Sequence, residues 1–233
     1  MKKLLPLLAA GAALAALPAL APMAAQAAAH PDYTGGWIVS PYSPALKPSD
    51  GKPVPFKPAA KAIYDKHVAA AAKGDKSWDE TTICIPEGLP RLLTINEPFE
   101  IMQKDKAVYF VAQNRLPFRA YFNEQLPTDV DPLYLGFSVA KWVGPALVIH
   151  TNGFRENTVL DDKGIPHSEK LDLTQTFKLG PGGKTMTVTY RIEDPDTFTR
   201  PWTATKTFAK KPASFHMPEE VCAEKLETTA PKR

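Results

Sequence analysis

The sequence predicts an all-β protein with one short helix, folded as an antiparallel up-and-down barrel of about eight strands. From residue 97 onward, apolar and polar residues alternate with a period of two, which is typical of strands that bury one face. Short links such as Lys104-Asp105 and Gly144-Pro145 separate most of these segments, so consecutive strands should pair antiparallel. An open meander of this size leaves exposed edges, and closure into a barrel removes them.

Residues 1–29 are typical of an export signal. Lysines precede a long stretch rich in leucine and alanine, and small residues follow it. Prolines inside the stretch argue against a retained transmembrane helix, so we expect no stable membrane insertion. Cleavage after Ala27 or Ala29 would leave a periplasmic protein that is long enough for one domain.

Residues 30–83 are rich in proline and glycine and predict an extended N-terminal arm that contains one helix. The helix is expected over 58–73, because Pro58 suits a first turn, alanine is the best helix former and Gly74 follows as a stop. The stretch "YTGGWIVS" predicts a short strand. Its Gly35-Gly36-Trp37 resembles the Gly-x-Trp signature of lipocalin-like or calycin-like barrels, in which the tryptophan plugs the barrel base.

The barrel domain is predicted over residues 84–222 and is followed by a C-terminal tail at 223–233. An eight-stranded barrel has room inside for side chains and one small ligand. The candidate strands are 97–103, 106–113, 117–124, 136–143, 146–152, 170–179, 184–193 and 200–209.

The net charge and the two cysteines limit the kinds of partner and the cellular compartment that the sequence suggests. Removing the two lysines of the leader lowers the formal net charge from +3 to +1, so nothing suggests nucleic acid as a partner. Cys84 and Cys222 are the only cysteines, and such a pair in an oxidising compartment predicts a disulfide. No phosphate loop, nucleophile elbow or His-Glu-x-x-His spacing is present, so no cofactor or metal is expected. The sequence leaves the oligomeric state open.

The stretch "GIPHSEKLDLTQTF" contains the first candidates for chemistry. If the alternation of its strand extends backwards, His167 and Glu169 share the inward face with Leu171 and Leu173. In "TRPWTATKTF", Arg200 falls on the same face as Trp202. A buried arginine needs an anionic partner, so the sequence suggests an inward cluster.

This cluster has two interpretations. Glu169 and Arg200 form a structural ion pair near the barrel mouth, with His167 half exposed. Alternatively, the three side chains line a pocket, with His167 as general base, Glu169 orienting it and Arg200 stabilising negative charge.

Four further residues are candidates for ligand binding. Arg91 lies on the loop "GLPRLLT", where a solvated surface arginine is the alternative. Arg119 and Tyr121 alternate with apolar residues on one strand and are expected to line a cavity. Trp202 is expected to line the interior beside Arg200.

The stretches "GLPRLLT", "DPLYLGFSVAKWVGPALVIHTNGF", "GIPHSEKLDLTQTF" and "EDPDTFTRPWTATKTF" resemble, in order and spacing, a large set of secreted bacterial proteins of unassigned function. The Pro-His-Ser-Glu and Phe-Thr-Arg-Pro-Trp motifs are the most specific, and the resemblance covers roughly 84–222. It implies no activity. It implies motif positions for Arg91, His167, Ser168, Glu169, Arg200 and Trp202.

The chain departs from that family pattern at three positions. Phe137 and His150 stand where the pattern has a histidine and an aspartate, and Pro145 replaces a second aspartate. If the replaced residues belong to a reaction, this chain binds without catalysing or has changed its substrate.

The leading functional hypothesis is a periplasmic protein that binds a small apolar or aromatic molecule in an interior pocket. One alternative is a cofactor-independent lyase or isomerase that uses His167, Glu169 and Arg200. Another is an envelope interaction module that uses the proline-rich arm and the acidic tail, and that hypothesis expects a filled barrel without a cavity.

Overall fold

The computed structural model describes residues 30–113, 117–129, 131–218 and 222. Strands β1 to β9 form a closed barrel in chain order, which confirms the all-β barrel class. Their bounds are Gly35–Val39, Phe99–Gln103, Ala107–Ala112, Phe118–Phe122, Phe137–Val143, Ala146–Asn152, Asp172–Leu179, Thr185–Glu193 and Trp202–Lys210.

The barrel has nine strands rather than about eight. The additional strand is β1, which was predicted as a short strand in "YTGGWIVS" but was not counted in the barrel, and it pairs antiparallel with both β2 and β9. All neighbours pair antiparallel except β4 and β5, which run parallel, so the prediction of a wholly antiparallel barrel is wrong at this one junction. Residues 123–136 form a connection long enough to return the chain before β5 begins.

The predicted helix is present as α1, Pro58–Ala71, and ends two residues earlier than expected. Pro58 occupies its first turn, where the missing N–H costs nothing. A single turn, α2, covers Arg91–Thr94 and is buried. Short 3₁₀ turns lie at Glu80–Ile83 and Pro181–Gly183. No helix in the described ranges is long and apolar enough to cross a membrane.

Large side chains pack against one another in the barrel interior. Trp37 is fully buried, and its indole N–H donates to the carbonyl of Tyr33 at 2.9 Å. Phenylalanines contact one another across the interior, with the Phe110 ring 5.4 Å from that of Phe177 and Phe99 edge-on to Phe208 at 5.6 Å. Aromatic pairs at these distances stabilise a core beyond the area they bury.

Gln175 and Tyr190 are fully buried neighbours on β7 and β8. Within the part of the chain that is described, neither the amide of Gln175 nor the hydroxyl of Tyr190 has a hydrogen-bond partner. Ser138 and Thr151, by contrast, satisfy each other through a 2.7 Å hydrogen bond between their hydroxyls. The interior therefore contains polar groups that are hydrogen-bonded and polar groups that have no partner among the described residues.

Cys84 and Cys222 form the predicted disulfide, with Cα atoms 5.9 Å apart. The bond joins residues separated by 138 positions, and Cys84 directly follows the 3₁₀ turn at Glu80–Ile83. The predicted export signal at 1–29 and the tail at 223–233 lie outside the described residues.

Candidate functional site

The barrel is closed, but its wall has the shortest paired stretch at the junction of β4 and β5, and we call the unpaired space beside this stretch the opening. These parallel strands share only two register pairs, Tyr121 with Val139 and Phe122 with Ala140, whereas every other junction has at least three. The first residues of β4 and β5 therefore do not pair with each other. Side chains from both faces of the wall reach the space between them.

A groove of about 530 Å³ occupies this opening. Its volume falls in the range of roughly 300–1,000 Å³ that is typical of sites for small molecules. Most of the lining is aromatic or aliphatic. The apolar lining comprises Phe118, Tyr121, Leu133, Tyr134, Leu135 and Phe137.

Tyr121 and Phe137 form the aromatic floor of the groove, on the two strands that diverge. Their rings are stacked, with centroids 5.9 Å apart and planes inclined by 21°. Leu133, on the connection before β5, is 47% exposed and also lines the groove.

The connection before β5 is held in place by backbone hydrogen bonds. The amide of Leu133 donates to the carbonyl of Gly153, and the amide of Arg155 donates to the carbonyl of Leu133, both at 2.9 Å. Gly136 has a φ of +63°, and a Cβ there would lie 2.5 Å from the carbonyl oxygen of Asn152. Only glycine fits this approach, so the wall of the groove is fixed against the end of β6.

Arg119 and Arg155 are the only charged residues that line the groove in the described ranges. Arg119 is exposed, and its guanidinium makes no hydrogen bond or ion pair with any described residue. Arg155 donates from Nε to the carbonyl of Pro132 at 3.0 Å, and its guanidinium carbon lies 5.0 Å from the centre of the Tyr134 ring. The groove therefore combines an aromatic lining with positive charge.

His167 lies elsewhere and is buried, so the half-exposed alternative is wrong. Its Nδ1 lies 2.9 Å from the carbonyl oxygen of Ser168, and its Nε2 lies 2.7 Å from the hydroxyl of Thr158. Because a carbonyl only accepts, Nδ1 carries the proton and Nε2 accepts from Thr158. Burial lowers the pKa of His167, so the ring is neutral near pH 7.

Glu169 and Arg200 do not face the interior, so this part of the prediction is wrong. Both precede their strands, since β7 begins at Asp172 and β9 at Trp202, and the alternation does not extend into the preceding turns. Glu169 is exposed, and the Nη2 atom of Arg200 pairs at the surface with the carboxylate of Asp50 at 2.9 Å. The structure does not bring the three proposed catalytic residues together.

The carboxylate that fixes the Pro-His-Ser-Glu turn is Asp194, which the sequence analysis missed. It accepts from the backbone N–H of Ser168 at 2.6 Å and from the hydroxyl of Ser168 at 2.8 Å. It also accepts from the backbone of Thr197, 3.2 Å away. An aspartate that opens "DPDTF" is typical of a side chain that caps its own turn, and this signal could have identified it.

Arg91 is buried in a cluster of ion pairs, so it is not a solvated surface arginine. It does not line the groove. Its two terminal nitrogens donate to Asp79 at 2.8 and 2.7 Å, and its Nε donates to Asp162 at 2.7 Å. Burial alone would lower the pKa of Arg91, but the two carboxylates outweigh it and raise that pKa. Each of the three guanidinium nitrogens of Arg91 therefore donates to an internal partner.

Trp202 faces the barrel interior as predicted, but it lies away from the groove. Its ring is edge-on to Phe198 at 5.5 Å, and its indole N–H has no hydrogen-bond partner among the described residues. Of the predicted ligand-binding residues, the structure brings only Arg119 and Tyr121 together in one groove.

The three departures from the family pattern lie in different places. Phe137 lines the groove and Pro145 lies in the turn between β5 and β6. The Nε2 atom of His150 lies 2.6 Å from the carboxylate of Asp172 on the outer wall. No set of three or more His, Cys, Asp or Glu residues in the described ranges is placed to hold a metal ion.

Comparison with family models, with curated proteins and with solved structures found no match for this chain. The functional argument therefore rests on the geometry of the groove.

Proposed function

We propose that the protein binds a small, largely apolar or aromatic molecule in the groove at the β4–β5 junction. The observation that carries the proposal is the opening in the barrel wall, where Tyr121 and Phe137 present stacked rings in a groove of about 530 Å³. Partly exposed aromatic rings beside an aliphatic side chain bury more apolar surface when a ligand covers them. Each square ångström so covered contributes roughly 25 cal/mol.

The groove replaces the interior pocket that the sequence suggested. The described interior is occupied by buried side chains such as Trp37, Phe110 and Phe177. A ligand at the junction needs no displacement of this core. We also propose that the protein is exported to the periplasm, and the Cys84–Cys222 disulfide supports this, since such bonds persist in oxidising compartments.

The lyase or isomerase hypothesis has less support. His167 is buried with both ring nitrogens in hydrogen bonds, while Glu169 and Arg200 are exposed and outside its hydrogen-bond network. A general base has to lie within hydrogen-bond reach of the proton that it abstracts. The envelope interaction hypothesis relies on the C-terminal tail, which lies outside the described residues.

The proposal is tested by titrating the protein with N-phenyl-1-naphthylamine, a neutral aromatic probe whose fluorescence rises in apolar sites. Tyr121→Ala removes one of the stacked rings, so affinity should fall about tenfold or more. Tyr42→Ala is the matched control, because Tyr42 is 41% exposed and lies outside the groove. Equal affinities for the wild type and both variants would contradict the proposal.

A further inference from the structure

We propose that the ligand of this groove carries an anionic group, so that its class is an aromatic or apolar acid recognised by Arg119 with Arg155 beside it. This inference rests on the proposed function and specifies the chemistry of the ligand at the same site.

Arg119 is placed to receive an anion. It lies two residues before Tyr121 on β4, so both side chains project from the same outer face of the strand. Its guanidinium has no hydrogen-bond or ionic partner among the described residues. A planar guanidinium presents parallel N–H donors that match a carboxylate, a sulfonate or a phosphate.

Arg155 adds a second positive charge in a more fixed position. One of its donors is held by the carbonyl of Pro132, and its guanidinium lies against the ring of Tyr134. Contact with the face of an aromatic ring orients an arginine without neutralising it. Its terminal nitrogens have no acidic partner within the part of the chain that is described, so they are available to a ligand.

The charges of the groove are of one sign. Two arginines line it, and no aspartate or glutamate of the described ranges does. A neighbouring depression of about 760 Å³ provides a contrast, because Lys104 and Lys141 are accompanied there by Asp105 and Glu124. Mixed charges can compensate one another, whereas two uncompensated arginines favour a ligand of opposite charge.

Two probes with one aromatic scaffold test this inference. 8-Anilino-1-naphthalenesulfonate is N-phenyl-1-naphthylamine with an added sulfonate, so the difference in their affinities isolates the contribution of the anion. We expect the sulfonate to bind the wild type about tenfold more tightly than the neutral probe. Raising the ionic strength from about 0.01 M to about 1 M should reduce this preference, because salt screens exposed charges.

Arg119→Gln should remove most of the preference for the sulfonate, measured as the ratio of the two probe affinities in the same variant. Arg191→Gln is the matched control, because Arg191 is an exposed strand arginine on β8 that pairs with Glu193 and lies outside the groove. That variant should keep the preference.

The outcomes separate the two proposals. If the neutral probe binds in a manner that depends on Tyr121 but the sulfonate gains nothing from Arg119, the proposed acid class is wrong and the apolar site stands. If neither probe depends on Tyr121, both proposals are wrong. If Arg119→Gln and Arg191→Gln weaken the sulfonate equally, its binding reflects general positive charge and the assignment to Arg119 fails.

Discussion

The groove at the β4–β5 junction uses polar side chains differently from Arg91 and His167, which, together with their hydrogen-bond partners, we call the polar cluster. In the cluster, Arg91 has two carboxylate partners and His167 has a partner for each ring nitrogen. In the groove, Arg119 has no partner among the described residues. Partners supplied by the chain itself indicate a structural role, whereas a cation without such a partner is available to the proposed ligand.

The comparison predicts that the two regions respond differently to mutation. Changes in the cluster should lower the free energy of unfolding without altering the affinity of the groove. Changes in the groove should alter probe affinity while stability stays nearly constant.

The largest expected effect is that of Arg91→Ala. It leaves the buried carboxylate of Asp79 without its bidentate partner, and breaking such a buried pair costs about 3–5 kcal/mol. Urea denaturation measures this loss. Lys61→Ala is the control, because Lys61 and Asp65 form an exposed pair on α1 whose removal should cost less than about 0.5 kcal/mol. Similar losses in both variants would contradict a structural role for the Arg91 cluster.

The next effect is a pH dependence carried by His167. Burial lowers its pKa below the ordinary value of 6.5, so between these two values the unfolded chain binds a proton that the folded chain does not. Stability should therefore be fully present above about pH 6.5 and fall as the pH decreases, by at most about 1.4 kcal/mol per pH unit.

His167→Gln should flatten this pH dependence below about pH 6.5, whatever its effect on absolute stability. Asp194 also makes stability depend on pH, but in a separate and more acidic pH range. Burial alone would raise its pKa, but its hydrogen bonds outweigh burial and lower it below 3.8, so its contribution is lost only as the pH falls further. An unchanged slope in His167→Gln would show that His167 is not held neutral by the fold.

A smaller effect of opposite sign is expected for Tyr190→Phe. The hydroxyl of Tyr190 is fully buried without a partner among the described residues, so removing it should stabilise the protein by about 1 kcal/mol. Tyr33→Phe is the control. Tyr33 is equally buried, but its hydroxyl donates to the carbonyl of Phe177 at 2.8 Å, so its loss should destabilise by about 1 kcal/mol. Thermal melts measure both changes. If the two variants shift the melting temperature in the same direction, this account of the interior is wrong.

The smallest effects are expected for Glu169→Ala and Arg200→Ala. Glu169 is exposed, and Arg200 belongs to a surface pair with Asp50, so each change should cost less than about 1 kcal/mol. A loss of about 3 kcal/mol in either variant, measured by urea denaturation, would instead restore the buried ion pair that the sequence suggested.

The strands were predictable because their alternation is local. Each segment predicted from residue 97 onward contains a strand, and the inward positions of Leu171, Leu173 and Trp202 follow directly from the period of two. The ends of strands were less predictable. Extending the alternation by two or three residues assigned Glu169 and Arg200 to the wrong face, because turns do not keep the period of a strand.

Arg119 and Tyr121 were predictable as cavity candidates from one amphipathic strand, but the groove itself was not. It depends on the parallel register of β4 and β5 and on the close approach of Gly136 to Asn152, both of which join residues distant in sequence. The partners of Arg91, Asp79 and Asp162, likewise come from separate loops. Residue type alone therefore suggested chemistry at positions where the fold uses charge for stability.

The most direct test of the central claim, that the opening between β4 and β5 is the binding site, is an NMR titration of backbone amides with N-phenyl-1-naphthylamine. We predict that the largest chemical-shift changes occur at Arg119, Tyr121 and Phe137 and that those at His167 and Glu169 stay small. Changes concentrated around His167 and Arg200, or spread evenly over the barrel, would contradict the claim.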